Sequence, residues 1–151
     1  MWRKRHPDAP RIGIGEVSAE NGGFPDIDGN GVSGHLTHQA GVNVNVLYMG
    51  RARPEKEIMF GQRNQELYDL GLERELIALL FEAGAGAVTM TAASRILEKV
   101  EGVPDLAGNW TLARENPDGE KIWRDGDKTV ITRKEPWDHG DHANVQFSFL
   151  R

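Results

Sequence analysis

Four of the five histidines fall into two pairs, and each pair lies at the start of a segment with the pattern of a β-strand. The pairs are His35 with His38, before the alternating segment 42–48, and His139 with His142, before the C-terminal segment 144–149. Imidazole nitrogen is a preferred ligand of zinc, and separate elements of a fold can share one metal. If the two strands are neighbours, the pairs converge on a metal site. If the strands lie apart, these are surface histidines, and spacing alone leaves both interpretations open.

A glycine-rich segment upstream contains a second pattern of metal-binding oxygens. Residues 26–31 read Asp-Ile-Asp-Gly-Asn-Gly, which resembles the first half of a calcium-binding loop. Asp26, Asp28 and Asn30 would supply side-chain oxygens to calcium. Thr37 stands where such a loop has its bidentate glutamate, and no pair of helices is predicted around it. A polar surface loop is therefore the alternative interpretation.

Two periodic segments dominate the expected fold. Segment 42–48 alternates in the manner of a strand, and segment 62–83 places leucines at helical spacing, with Glu73 and Arg74 among the polar residues expected to face solvent. The remaining predicted elements are strands at 11–15, 87–91 and 144–149, a short helix at 92–100, a turn at 116–119 and a hairpin over 121–133. Together they predict an α+β fold, with a small, mainly antiparallel sheet, one main helix packed on it and long loops.

Composition limits the class of protein. A chain of 151 residues fits one compact domain, and we expect a polar tail over residues 1–10 and a single domain over residues 11–151. The formal net charge of -5 argues against a nucleic-acid partner, and the absence of cysteine excludes disulfides and thiolate metal sites. The basic start is followed by Pro7 instead of an apolar run, so neither a signal peptide nor a membrane span is predicted.

The residues around both histidine pairs are similar to the motifs of one enzyme family. Residues 34–45 read GHLTHQAGVNVN, and residues 137–145 read WDHGDHANV. The first resembles the G-H-x-S/T-H-Q-x-G-x-D-x-D motif of penicillin-insensitive murein endopeptidases, and the second resembles that family's closing H-x-x-H-x-H-V. Segments 12–18 and 62–69 resemble the family's opening strand and the approach to its central helix. The resemblance therefore covers most of the chain, from Ile12 to Phe149.

The resemblance implies a compact zinc metallopeptidase of the group that includes lysostaphin-like and D-Ala-D-Ala peptidases, the LAS group. Such enzymes cut peptide cross-links in bacterial peptidoglycan, so the expected partners are peptidoglycan peptides in the periplasm or outside the cell. Since no leader is predicted, association with a phage or an export apparatus is an expected context. By the same resemblance His142 matches the residue that handles protons beside the metal-bound water, and His139 and His35 match further active-site histidines.

The metal-ligand positions depart from the family pattern. The family binds zinc through a His, an Asp and a final His, and these positions correspond to His38, Asn45 and Asn144. A carboxamide lacks the charge of a carboxylate and the ring nitrogen of imidazole, which are the donors that zinc prefers. Asn43 also stands where the family usually has Asp. We therefore expect weak zinc binding and poor or absent hydrolysis, whether the asparagines are natural or introduced.

Two alternatives to a weakened peptidase are open from the sequence. The first is a non-catalytic module on the same fold that holds peptidoglycan peptides or serves a structural role. The second is an altered zinc site formed by three imidazoles, those of His35, His38 and His142.

Overall fold

The computed structural model describes residues 1–17, 43–50, 69–91, 106, 108–133 and 142–147. Within these ranges the chain forms two helices and seven strands. The helices are α1 (Trp2–Arg5) and α2 (Leu70–Glu82). The strands are β1 (Ile14–Val17), β2 (Asn43–Leu47), β3 (Ala85–Thr91), β4 (Thr111–Glu115), β5 (Lys121–Asp125), β6 (Lys128–Arg133) and β7 (His142–Phe147).

All seven strands join one mixed sheet in the order β1-β2-β7-β3-β6-β5-β4. Every neighbouring pair is antiparallel except β3 with β6, which run parallel. The predicted α+β class with a mainly antiparallel sheet is confirmed. The order also places β2 beside β7, although these strands are almost a hundred residues apart in the sequence.

A row of apolar residues crosses five strands on one face of the sheet. Its members are paired in register: Val44, Val145, Val88, Val130 and Trp123. The row packs into one buried cluster with residues of α2, namely Leu76, Ile77, Leu79 and Phe81. Helix α2 therefore covers this face, and burial of each large apolar side chain contributes about 1.5–3 kcal/mol.

Helix α2 begins later than the periodicity predicts. Asp69 has extended backbone angles, and its side chain accepts a hydrogen bond from the backbone N–H of Leu72. That geometry is an N-cap, so a continuous helix over 62–83 is wrong at its start, and residues 62–68 lie outside the described ranges. At the other end, Gly84 has a φ of 99° and the chain turns into β3.

The first ten residues differ from the polar tail predicted for them. Residues 2–5 form α1, and Trp2 is part of the buried core. The indole Nε1 of Trp2 donates to the carbonyl of Pro10 over 2.7 Å, and Arg5 forms an ion pair with Glu82 of α2. An amphipathic indole can bury its ring while its N–H keeps a partner, which is why one tryptophan holds a polar segment on the domain.

The local turn predictions agree well with the structure. The β5–β6 hairpin is confirmed, with Gly126 at a φ of 62° in its two-residue turn. The turn over 116–119 is also confirmed, since the N–H of Gly119 donates to the carbonyl of Asn116 over 2.8 Å. Strand β4 was not predicted, because all five of its residues are exposed and it has no buried face to give a pattern. The predicted helix at 92–100 lies outside the described residues.

No helix in the described part of the chain has the length and apolar character needed to cross a membrane.

Candidate functional site at the β2–β7 pair

The register of β2 against β7 brings the two altered ligand positions together. Asn45 pairs directly with Asn144, and the next pair on the same face is Leu47 with His142. Side chains of directly opposed residues in an antiparallel pair lie on one face of the sheet, about 4.5–5.5 Å apart at their Cβ atoms. Because Val44 and Val46 face the core under α2, the asparagines lie on the opposite face.

The two asparagines bind each other. The Nδ2 of Asn144 donates a hydrogen bond to the Oδ1 of Asn45 over 3.2 Å. Both residues are buried, with 4% of Asn45 and 9% of Asn144 exposed. A buried carboxamide without a hydrogen-bond partner would cost about 1–3 kcal/mol, so the mutual bond removes a penalty that either side chain would otherwise carry.

Small and polar neighbours flank this pair across the sheet. Thr89 of β3 is in register with Asn144, on the same face. On the other side Gly15 of β1 lies beside Asn45, where an added Cβ would come 3.4 Å from the Cβ of Asn45. The two residues that flank the asparagine pair in this row therefore have a hydroxyl, in Thr89, or no side chain, in Gly15.

Only part of the predicted site can be located. His142 is partly buried, and it lies on the same face as Asn144 because the two residues are two positions apart on β7. The other predicted residues lie outside the described ranges: His35, His38, His139, and the candidate calcium ligands Asp26, Asp28 and Asn30. The metal and calcium sites that involve them stay predictions.

The spacing of the asparagine pair is compatible with a metal, but its chemistry is not. Ligands of tetrahedral zinc, each about 2.0–2.1 Å from the metal, lie roughly 3.3 Å apart. The Oδ1 of Asn45 and the Nδ2 of Asn144 are 3.2 Å apart, so a carboxylate and an imidazole at these positions could share a metal. An amide nitrogen that donates a hydrogen bond has no lone pair for zinc, and the amide oxygen is neutral. As they stand, these two residues do not fit a zinc ion.

Across the described ranges, no cluster of three or more His, Cys, Asp or Glu side chains has the arrangement of a metal site.

A second buried polar contact lies just beyond the end of β2. Glu73 of α2 is 1% exposed, and its Oε2 accepts a hydrogen bond from the N–H of Met49 over 2.9 Å. The carbonyl of Met49 in turn accepts from the N–H of Asp69 over 2.8 Å. These two bonds attach the first turn of α2 to the end of the strand that carries Asn45.

Burial changes the charge of this carboxyl. Desolvation raises the pKa of Glu73 to about 8, against the opposing effect of the hydrogen bond from Met49. Glu73 is therefore mostly protonated at neutral pH.

The expectation that Glu73 and Arg74 face solvent is wrong, since both are buried. The signal was present in the sequence, because Glu73 lies three and four positions before the core residues Leu76 and Ile77. Those are the spacings that share a helix face.

Comparisons of this chain with protein-family models, with curated proteins and with solved structures gave no match.

Proposed function

We propose that this chain is a murein-endopeptidase-like domain, with a LAS-type arrangement, that binds peptidoglycan peptides and hydrolyses them poorly or not at all. The proposal combines the motif resemblance at 34–45 and 137–145 with the chemistry of the two strands that carry its motifs. Its target would lie in the periplasm or outside the cell.

The observation that carries the proposal is the hydrogen bond between Asn144 and Asn45. Two positions that the motifs assign to one metal are opposite each other on neighbouring strands, and their polar atoms are 3.2 Å apart. That coincidence supports the resemblance, because motifs matched by chance would have no reason to meet. The amide identity of both side chains supports weak or absent metal-assisted hydrolysis.

A second candidate is an active zinc endopeptidase in which the histidines compensate for the asparagines. The position of His142 favours it, since this histidine lies on the same face as Asn144 and only two residues away. The two candidates differ in zinc content and in turnover.

Zinc stoichiometry and muropeptide hydrolysis of the purified chain separate these candidates. We expect less than one zinc per chain after dialysis and no cleavage of cross-linked muropeptides, together with measurable binding of those muropeptides. One tightly held zinc with turnover would favour the second candidate. A chain that neither holds zinc, nor cleaves muropeptides, nor binds them would contradict the proposed function.

Restoring the family ligands tests the assignment of positions. The double variant Asn45→Asp with Asn144→His should gain a zinc ion that survives dialysis, because a carboxylate and an imidazole then stand about one ligand spacing apart. The matched control combines Asn45→Asp with Gln146→His. It adds the same groups but moves the imidazole two residues along β7, opposite Asn43 instead of Asn45. Equal zinc uptake by both variants, or none by either, would show that the positions are misassigned.

A further inference from the structure

A small pocket opens on the α2 side of the sheet, away from the asparagine pair. Its volume is about 170 Å³, and its walls come from the last turns of α2, from Leu106 and Trp110, and from the start of β6. The lining residues are Ala78, Phe81, Glu82, Leu106, Trp110 and Lys128. Pockets for drug-sized ligands have about 300–1,000 Å³, so this one suits a molecule of roughly the size of one amino acid.

The floor of the pocket is apolar and aromatic. Phe81 and Leu106 are buried in the core, and the rings of Phe81 and Trp110 are in tilted contact with centroids 5.5 Å apart. Fixed aromatic side chains offer a branched aliphatic group a rigid contact surface, and its removal from water favours binding.

The rim of the pocket carries one acid and one amine, both open to solvent. The side chain of Glu82 is 49% exposed and that of Lys128 is 43% exposed. Arg5 donates to both carboxylate oxygens of Glu82, over 3.2 Å and 2.7 Å. Two carboxylate oxygens offer about four acceptor positions, so Glu82 retains capacity for a further donor.

Lys128 is held less firmly. Within the described ranges its nearest carboxylate oxygen is the Oδ2 of Asp125, 3.9 Å away, which is beyond hydrogen-bonding distance. Its ammonium group can therefore turn toward an anion in the pocket at little cost. The C-terminal end of α2, where Glu82 lies, adds negative potential that favours a cation on that side.

We propose that this pocket binds a free, zwitterionic amino acid with an aliphatic side chain. Its ammonium group binds Glu82 at the end of α2, its carboxylate binds Lys128, and its side chain packs on Phe81 and Trp110. A pocket lined by one acid, one amine and two aromatic rings matches a zwitterion better than a simple acid or a simple amine, each of which leaves one of the two charges without a ligand group.

Three matched ligands test the proposal on the whole chain. L-leucine has both charges, leucinamide lacks the carboxylate, and 4-methylpentanoate lacks the ammonium group. In titrations followed by NMR at the indole N–H of Trp110, we expect leucine to bind in roughly the millimolar range. Each analogue should bind about tenfold more weakly, because each loses one charge-assisted contact.

The variant Lys128→Met sharpens the test. It should bind leucine and leucinamide equally, while leucine should still be preferred over 4-methylpentanoate. The matched control is Lys121→Met, at the start of β5, which is the end of the β5–β6 hairpin far from Lys128. This variant should behave as the native chain. Retained discrimination between leucine and 4-methylpentanoate shows that the variant is folded.

Three results would overturn the proposal. The first is the absence of any leucine-dependent shift up to the solubility limit. The second is equal binding of all three ligands, which would mark a purely apolar groove. The third is retained preference of Lys128→Met for leucine over leucinamide.

Discussion

Two buried polar side chains, one in the middle of β2 and one beside the segment that follows it, are satisfied in different ways. In the strand, Asn45 is satisfied by a second neutral side chain, Asn144 of β7. Just past the strand, Glu73 is satisfied by a backbone N–H, that of Met49, and it is an ionisable group. Both contacts are buried and both join β2 to another element.

The two contacts differ in whether their contribution to the stability of the fold depends on pH. A pair of carboxamides has no proton to gain or lose, so its contribution is the same at every pH at which the chain is folded. A buried carboxyl is stable only when neutral, so its contribution depends on pH. The contact between Asn45 and Asn144 is thereby independent of pH, whereas the junction that attaches α2 to the end of β2 is sensitive to it.

Among the variants considered, Glu73→Gln should have the largest effect on the free energy of unfolding, because it removes the ionisable group that makes one of the two contacts depend on pH. A group whose pKa is about 8 in the folded protein and 4.5 in its ordinary state stabilises the fold fully below pH 4.5 and loses that stabilisation as pH rises through 8. Relative to Glu73→Gln, the native free energy of unfolding should fall as pH rises through this interval, with a slope of at most about 1.4 kcal/mol per pH unit.

Urea unfolding across the interval measures this slope. Glu115→Gln, an exposed change on β4, is the matched control and should keep the native slope. A Glu73→Gln variant with the native pH dependence would show that this carboxyl is not its source.

Asn45→Ala should have the next largest effect. The change leaves the Nδ2 of Asn144 without its partner Asn45, and we expect a loss of about 1–3 kcal/mol in the free energy of unfolding. This loss should be constant between pH 4.5 and 8, unlike the effect at Glu73. Asn144→Ala and the double variant complete a thermodynamic cycle.

The cycle should give a coupling energy of about 0.5–1.5 kcal/mol, because both single variants remove the same hydrogen bond. Strict additivity of the two single effects would mean that the bond does not contribute in solution.

Asp69→Ala should cost less, about 0.5–2 kcal/mol, through loss of the N-cap of α2. Asp69 accepts from the N–H of Leu72, so Asp69→Asn, which keeps an acceptor oxygen, should retain most of the stability. Thermal unfolding of the two variants side by side measures this. Negligible losses in both would indicate that the backbone bond to Met49, and not the cap, holds the start of α2, whereas equal large losses would indicate that the carboxylate charge matters more than the acceptor oxygen.

Gly15→Ala should have the smallest effect, within about 0.5 kcal/mol. Its new Cβ would stand 3.4 Å from the Cβ of Asn45, an ordinary contact, whereas a Cβ on Gly13 would stand 2.7 Å from the Cδ1 of Leu47. Gly13→Ala therefore requires Leu47 to move and should cost more. A larger loss at Gly15 than at Gly13 would mean that the asparagine pair tolerates no added volume beside it.

Local patterns predicted several elements of the fold closely. The alternation at 42–48 corresponds to β2, and the glycine turns at 119 and 126 lie where the sequence placed them. These features depend on the preferences of neighbouring residues, which the sequence shows directly. Strand β4 and the cap at Asp69 were missed, since the first has no buried face and the second interrupts a periodic segment.

By itself, the sequence determined the α+β class, the alternation that puts valines on one face of β2 and asparagines on the other, and the chemical identity of the candidate site residues. Only the tertiary structure decided that Asn45 faces Asn144 across two paired strands, that Glu73 is buried, and that Trp2 belongs to the core. Strand order and helix docking join residues many positions apart, and their energies depend on which surfaces are removed from water together. The conformational preferences of neighbouring residues therefore do not predict the strand order or the docking of the helix.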